Sequence, residues 1–219
     1  MVYSPIPKAA CSSVKQSLLQ LFDLDNNLNP HRASFPIIPN RKIIGLNEYL
    51  VFAFVRNPWD RLVSCYRDKI RPYTTNHQTM TNGVFKGFLD KYGNRFYAGM
   101  TFADFAAEVC RIPDSISDQH FRSQYYSLAP NGELLPNFLS RFENLEKDFQ
   151  EICRIKGLSL ELKHILGNTP KENLKKPLVK IDYRSYYTRE LEEMVKKDTV
   201  GTSISLGIPS INNKWTFQG

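Results

Sequence analysis

Residues 50–67 read LVFAFVRNPWDRLVSCYR. The first six, Leu50–Val55, are apolar without interruption, a run too short for a core helix and lacking polar alternation. Such a run predicts a strand buried on both faces of a parallel sheet. Asn57 and Pro58 then announce a helix. An asparagine side chain can accept from N–H groups of a first turn, and proline suits the first helical position, where no N–H is needed. Trp59, Leu62, Val63 and Tyr66 recur at helical spacing and predict a buried stripe. A buried strand running straight into an amphipathic helix is the building unit of an α/β fold.

Working outward, Met1–Ile6 reads as a short first strand, with Pro5 near its end. Small residues at Pro7–Ser13 make a turn, and Val14, Leu18, Leu21 and Phe22 predict a helix after it. Asp25–Asn47 is Asn- and Pro-rich and reads as mostly irregular. Pro72–Gly99 lacks clear periodicity and reads as a surface excursion. Thr101 with Asp104 starts a helix through Val109. Asn137–Phe142 is a short strand, followed by a helix over Asn144–Ile155 with Leu145, Phe149 and Ile152 inward. Leu160–Leu178 is loop-like, and Thr188–Lys197 is a last helix with Leu191, Met194 and Val195 on one side. The expected fold is α/β, a central parallel sheet flanked by helices, in one domain spanning all 219 residues.

The composition is that of an ordinary globular protein, with 42% hydrophobic and 23% charged residues. Lys and Arg exceed Asp and Glu to give a formal net charge of +7, which favours an anionic partner without choosing one. Cys11, Cys65, Cys110 and Cys153 form no CxxC pair, so a zinc knuckle or a redox motif is not expected. No apolar span is long enough for a membrane, and no signal peptide is evident. The expected setting is therefore the cytoplasm, with a lumenal domain trimmed of a membrane anchor as the alternative.

Two stretches carry chemistry. Residues 6–13, IPKAACSS, lie between the predicted first strand and helix. Small residues there allow main-chain N–H groups to turn toward an anion, and the helix N-terminus adds partial positive charge. Lys8 adds a full charge, and Ser12 and Ser13 add hydroxyls. The pattern is not the ATP cradle GxxxxGK[ST], because Lys8 comes first and the glycines are absent. An ordinary strand-to-helix turn with a serine cap is the plain alternative. In the second stretch Arg56 ends the buried strand, at the carboxyl edge where open α/β sheets bind ligands. Arg56 offers a planar fork for phosphate and Ser64, two turns into the helix, a hydroxyl. Arg61 and Arg67 are expected on a solvated basic face.

With both stretches in view the chain resembles the PAPS-dependent sulfotransferase superfamily (PAPS is 3′-phosphoadenosine 5′-phosphosulfate). Within it, the chain most resembles the branch of Golgi carbohydrate sulfotransferases and their bacterial relatives. PKAACSS resembles the family's 5′-phosphosulfate loop, and RNPWDRLVSCYRDK its 3′-phosphate motif. DQHFRSQ at 118–124, RFENLEKDF at 141–149 and YRSYYTRELEEMV at 183–195 resemble further family segments in the right order. Two features depart from the pattern: Ala10 and Cys11 stand where many relatives carry glycine, and the C-terminus lacks an aromatic ending.

The resemblance implies a P-loop-like fold and PAPS as co-substrate, held by Lys8, Ala9, Ala10, Cys11, Ser12, Ser13, Arg56 and Ser64. It implies transfer of the sulfuryl group to an acceptor hydroxyl, on a glycan by preference, with Lys8 stabilising developing charge and no metal required. The acceptor hydroxyl needs a general base, and histidine suits neutral pH. His120, between Asp118 and Arg122, is the chosen candidate, with Glu143 in reserve. His31 and His77 lie in polar loops and His164 in a family-like loop. A nucleotide kinase would need Mg²⁺ and the missing GK[ST]. A nucleic-acid-binding module would show a helix-turn-helix, zinc or RNP-type signature, and none is present. A sulfotransferase fold that has lost catalysis is a third reading. No nucleic-acid partner is expected.

Overall fold

The computed structural model describes residues 1–22, 28–38, 49–71, 79–163 and 182–201, the last six of these by backbone only. Among them are five short strands, β1 (Val2–Tyr3), β2 (Val51–Val55), β3 (Met80–Thr81), β4 (Val84–Phe85) and β5 (Phe138–Arg141). The helices are α1 (Cys11–Leu18), α2 (Pro58–Lys69), α3 (Lys86–Tyr92), α4 (Phe102–Cys110), α5 (Gln124–Leu128), α6 (Leu145–Lys156) and α7 (Arg189–Gly201). The chain divides into two compact units, Met1–Arg56 with Ser127–Thr169, and Asn57–Tyr126 with Pro170–Gly219.

The first unit is built on a three-stranded sheet in the order β1-β2-β5. Both pairings are parallel, with Val2 beside Val51 and Val55 beside Arg141. All five residues of β2 are buried, as its unbroken apolar run predicts. Side chains alternate along a strand, so Phe52 and Phe54 share a face. They form a core with Val14 and Leu18 of α1 and Leu145, Phe149, Ile152 and Cys153 of α6. Asn137 sets the start of the β2–β5 pairing: its side chain accepts from Val51 N–H (3.0 Å) and donates to the Tyr49 carbonyl (2.8 Å). Helix α6 stops at Gly157, whose φ of 63° is the left-handed closure that glycine adopts without a Cβ penalty.

In the second unit Asn57 caps α2 as expected, accepting from Trp59 N–H at 3.0 Å and Asp60 N–H at 3.3 Å, with Pro58 as the first helical residue. Thr101 likewise caps α4, accepting from Asp104 N–H at 3.1 Å. The core gathers Trp59, Leu62, Val63 and Cys65 from α2, Phe102, Phe105, Ala106 and Val109 from α4, and Leu191 and Val195 from α7.

Residues 79–99 correct the expected surface excursion. They form the antiparallel β3–β4 hairpin and α3, and they place Phe88 and Phe96 in the core. The elements are only 2 to 7 residues long, too short to display a period, yet each buries one apolar residue. The first strand is also shorter than expected, at Val2–Tyr3. His77, His164 and residues 202–219 lie outside the described residues.

Candidate functional site

Parallel pairing brings the carboxyl ends of β1, β2 and β5 to one edge of the sheet. Three segments follow these ends within the first unit: the turn into α1, Arg56, and the turn at Phe142–Asn144 into α6. Main-chain groups at such an edge have used their ladder bonds, so the residues just beyond it are available for ligands.

The turn into α1 is wound tightly. Ala9 N–H donates to the Ile6 carbonyl at 3.2 Å, and Ala9 and Ile6 are both buried. Ala9 therefore contributes a buried methyl group and a donor that closes the turn. Lys8 and Ala10 have φ of 69° and 61°, the left-handed region that L-residues seldom occupy. Holding a non-glycine residue there costs roughly 1–3 kcal/mol, and such residues cluster at functional sites. The first α-helical bond runs from Val14 N–H to the Ala10 carbonyl, 3.0 Å. The N–H groups of Ala10, Cys11 and Ser12 thus precede that bond, in the first turn of the helix. In contrast to α2 and α4, α1 has no side-chain cap and no acidic residue in its first turn. Its N-terminal partial charge is met by no carboxylate of its own.

Lys8 and Arg56, expected from separate motifs, are brought together. Arg56 Nη1 donates to the Lys8 carbonyl at 3.1 Å, and its guanidinium lies over the Phe142 ring, 4.6 Å from the centroid. All three strand ends contribute to this contact. Ser13 is buried, and its carbonyl accepts from Ser17 Oγ at 3.1 Å. Ser12 Oγ lies 2.8 Å from His31 Nε2, while His31 N–H donates to Asn29 Oδ1 at 2.9 Å. His31 was expected to be an ordinary loop residue. Sequence spacing gave no signal for its contact, since nineteen positions separate it from Ser12. Glu143 is exposed, and Asn144, at the N-cap position of α6, makes no side-chain cap.

Ser64 is half-buried on α2 in the second unit. Arg61, expected on a solvated face, is buried there instead. Its Nη1 donates to the Arg122 carbonyl (2.9 Å) and its Nη2 to the Gln119 carbonyl (3.0 Å). Five fixed donors make arginine suited to gathering loop carbonyls that would otherwise be buried without partners. Arg67 is exposed, as expected.

His120 sits in the loop that Arg61 holds. Its Nδ1 lies 2.6 Å from Asp118 Oδ1, which also accepts from His120 N–H at 2.9 Å. The ring packs edge-on to Phe85 at 5.1 Å. Burial pushes the Asp118 carboxyl up, but the hydrogen bonds from His120 and the charges of His120 and Lys91 outweigh burial and hold it below its ordinary value. A carboxylate on Nδ1 fixes the ring orientation and favours Nε2 as the proton acceptor.

A family model described as the sulfotransferase family matches residues 1–200. The chain belongs to the sulfotransferase family. Among similar proteins is carbohydrate sulfotransferase 14 of Mus musculus, 25% identical over 173 residues, covering 69% of this chain and 43% of the mouse protein. Carbohydrate sulfotransferase 11 of Rattus norvegicus is 24% identical over 198 residues, covering 74% of this chain and 52% of its own length. An uncharacterized protein of Archaeoglobus fulgidus is 27% identical over 130 residues, covering 59% of this chain and 86% of that protein. The chain spans about half the length of the curated carbohydrate sulfotransferases it matches. No solved structure matches it. The mixed α/β architecture with its three-stranded parallel sheet accords with sulfotransferase family membership. Among the described residues, no helix is long and apolar enough to cross a membrane, and no group of three or more His, Cys, Asp and Glu is placed to hold a metal ion.

Proposed function

We propose that this protein transfers a sulfuryl group from PAPS to an acceptor hydroxyl on a carbohydrate. The observation that carries the reading is the joining of Lys8 and Arg56 at the carboxyl edge of a parallel sheet, beside a helix N-terminus with no cap and no acid of its own. The turn from Lys8 to Ser13 then acts as a P-loop-like cradle for the 5′-phosphosulfate. Arg56 and Ser64 take the 3′-phosphate, as the family resemblance implies. The relatives' names support a glycan acceptor.

The donor supplies an activated sulfuryl group on its 5′-phosphate. The acceptor oxygen forms the new S–O bond as the bond from sulfur to the phosphate oxygen breaks, and the acceptor proton passes to a base. Lys8 and the first N–H groups of α1 stabilise the charge that develops on the departing phosphate. Sulfuryl transfer, like phosphoryl transfer, asks the protein mainly for positioning and charge stabilisation.

His120, oriented by Asp118, is the base expected from the sequence. His31 is a second reading, favoured by its contact with Ser12 in the first turn of α1. A proton acceptor must lie within hydrogen-bond reach of the hydroxyl it serves. Transfer of labelled sulfate from PAPS to a panel of glycans tests the function. Transfer is expected to at least one glycan hydroxyl, and none to any acceptor in the presence of bound donor would reject catalysis. In that assay His120→Ala and His31→Ala separate the bases. Loss of the true base lowers kcat by about 10²–10⁴-fold, and the other substitution spares it.

A further inference from the structure

We infer that Phe142 is a positioning residue for the nucleotide: it acts through Arg56, and Arg56 in turn ties the turn at Lys8 to the 3′-phosphate end of the site. The inference rests on the donor reading above and extends it to a residue that no sequence motif singled out for binding.

The geometry is a chain of three contacts within one unit. The Phe142 ring underlies the Arg56 guanidinium at 4.6 Å, Arg56 Nη1 holds the Lys8 carbonyl at 3.1 Å, and Lys8 itself has a φ of 69°. A left-handed lysine is unfavourable on its own, so something in the fold must hold it. The hydrogen bond from a charged donor to its carbonyl does so directly, and charge-assisted bonds are the strong ones. Arginine on a flexible stem does not choose that plane unaided. A ring beneath the guanidinium selects it by stacking and by attraction between the cation and the ring face. The sheet supplies the register. Val55 pairs with Arg141 as the last residues of the two strands, so the residues just beyond them, Arg56 and Phe142, leave the sheet at neighbouring points of its edge. Phe142 is half-buried and packs against the core of α1, β2 and α6, which anchors the ring.

The consequence is coupling. A guanidinium fixed to the Lys8 carbonyl and offered to a 3′-phosphate feels both ends of one ligand. Loosening it weakens binding at both ends, including for a ligand without a 3′-phosphate.

The test is a mutant cycle read by calorimetry with 3′-phosphoadenosine 5′-phosphate and with adenosine 5′-phosphate. Phe142→Leu removes the ring face and keeps an apolar side chain; Phe142→Tyr keeps the face. Phe142→Leu is expected to weaken 3′-phosphoadenosine 5′-phosphate by about 3- to 30-fold, and adenosine 5′-phosphate by a smaller factor above twofold. Phe142→Tyr should stay within about twofold of the unaltered protein for both. With Arg56→Met already present, Phe142→Leu should add less than about twofold, because its partner is gone. A residue with only a structural role would lower the melting temperature and weaken binding alike in both backgrounds. Equal weakening by Phe142→Leu with and without Arg56→Met therefore overturns the inference, as does unchanged binding of either nucleotide. If the unaltered protein binds neither nucleotide, the donor reading fails and this inference with it. If it binds 3′-phosphoadenosine 5′-phosphate and the cycle is additive, the inference fails alone.

Discussion

At Ala10 the main chain has φ 61°, and at Lys8 φ 69°, in a turn that contains no glycine. An L-residue in this region is strained by its Cβ, and glycine is not. Ala10→Gly is therefore expected to stabilise the fold by about 1 kcal/mol, read as a higher denaturant midpoint at unchanged slope. A lower midpoint would mean that the Ala10 methyl group contributes packing that outweighs the strain. In the proposed donor reading, Lys8 is the residue whose charge follows charge developing on the departing phosphate. Lys8→Ala should thus lower kcat more than it weakens product binding, because stabilisation specific to the transition state appears in kcat. Normal kcat with only a raised KM would make Lys8 a simple binding residue. The types of these residues were legible from the sequence, since a lysine opening a small-residue turn after a strand suggests an anion cradle. Their left-handed backbone was not, because neither is a glycine. Arg56 shows the same division. Its place at a strand end could be read from LVFAFVRNP, but its bond to the Lys8 carbonyl joins residues 48 positions apart.

Among the elements, α2 was the most legible: the Asn57 cap, the Pro58 start and the buried stripe all stand as expected. These signals are local, spaced within one or two helical turns. The loop at 117–124 was the least legible. Arg61 crosses to it from α2, Arg122 donates back to the Ser117 carbonyl at 2.6 Å, and Asp118 pairs with His120. The Asp118 carboxyl is held below its ordinary value in the folded protein. Its stabilising contribution is therefore fully present above the unfolded carboxyl value, about 3.9, and is lost as pH falls through the lower folded value. The difference in unfolding free energy between the unaltered protein and Asp118→Asn should accordingly shrink as pH falls below about pH 4. A difference that grows as pH falls below about 4 would show that the Asp118–His120 contact does not stabilise the fold through the carboxylate.

For the whole molecule, the net charge of +7 accords with an anionic ligand, and the joined Lys8 and Arg56 give that charge a location. The donor reading predicts that 3′-phosphoadenosine 5′-phosphate stabilises the protein in the presence of a chelator. At a hundred times its Kd the nucleotide should add about 2.7 kcal/mol to unfolding, seen as a rise in Tm, while ATP at the same concentration adds far less. An equal rise with ATP, or a rise that requires Mg²⁺, would count against a sulfuryl donor and for a phosphotransferase.

What the sequence determined by itself was local or periodic: a strand buried on both faces, the caps and stripes of the helices, and two basic stretches placed where strands end. Each depends on neighbours within a few residues, so spacing and residue type are enough to reveal it. Tertiary structure alone decided the rest. Val84 and Phe88 became core because very short elements each surrender one side chain to it. Arg61 became a buried strut, His31 came to rest on Ser12, and Phe142 came to lie beneath Arg56. These are contacts made by parallel strand pairing and loop closure over dozens of residues. The spacing of residues along the chain does not encode such distances; the register of the folded sheet and the packing of its loops do.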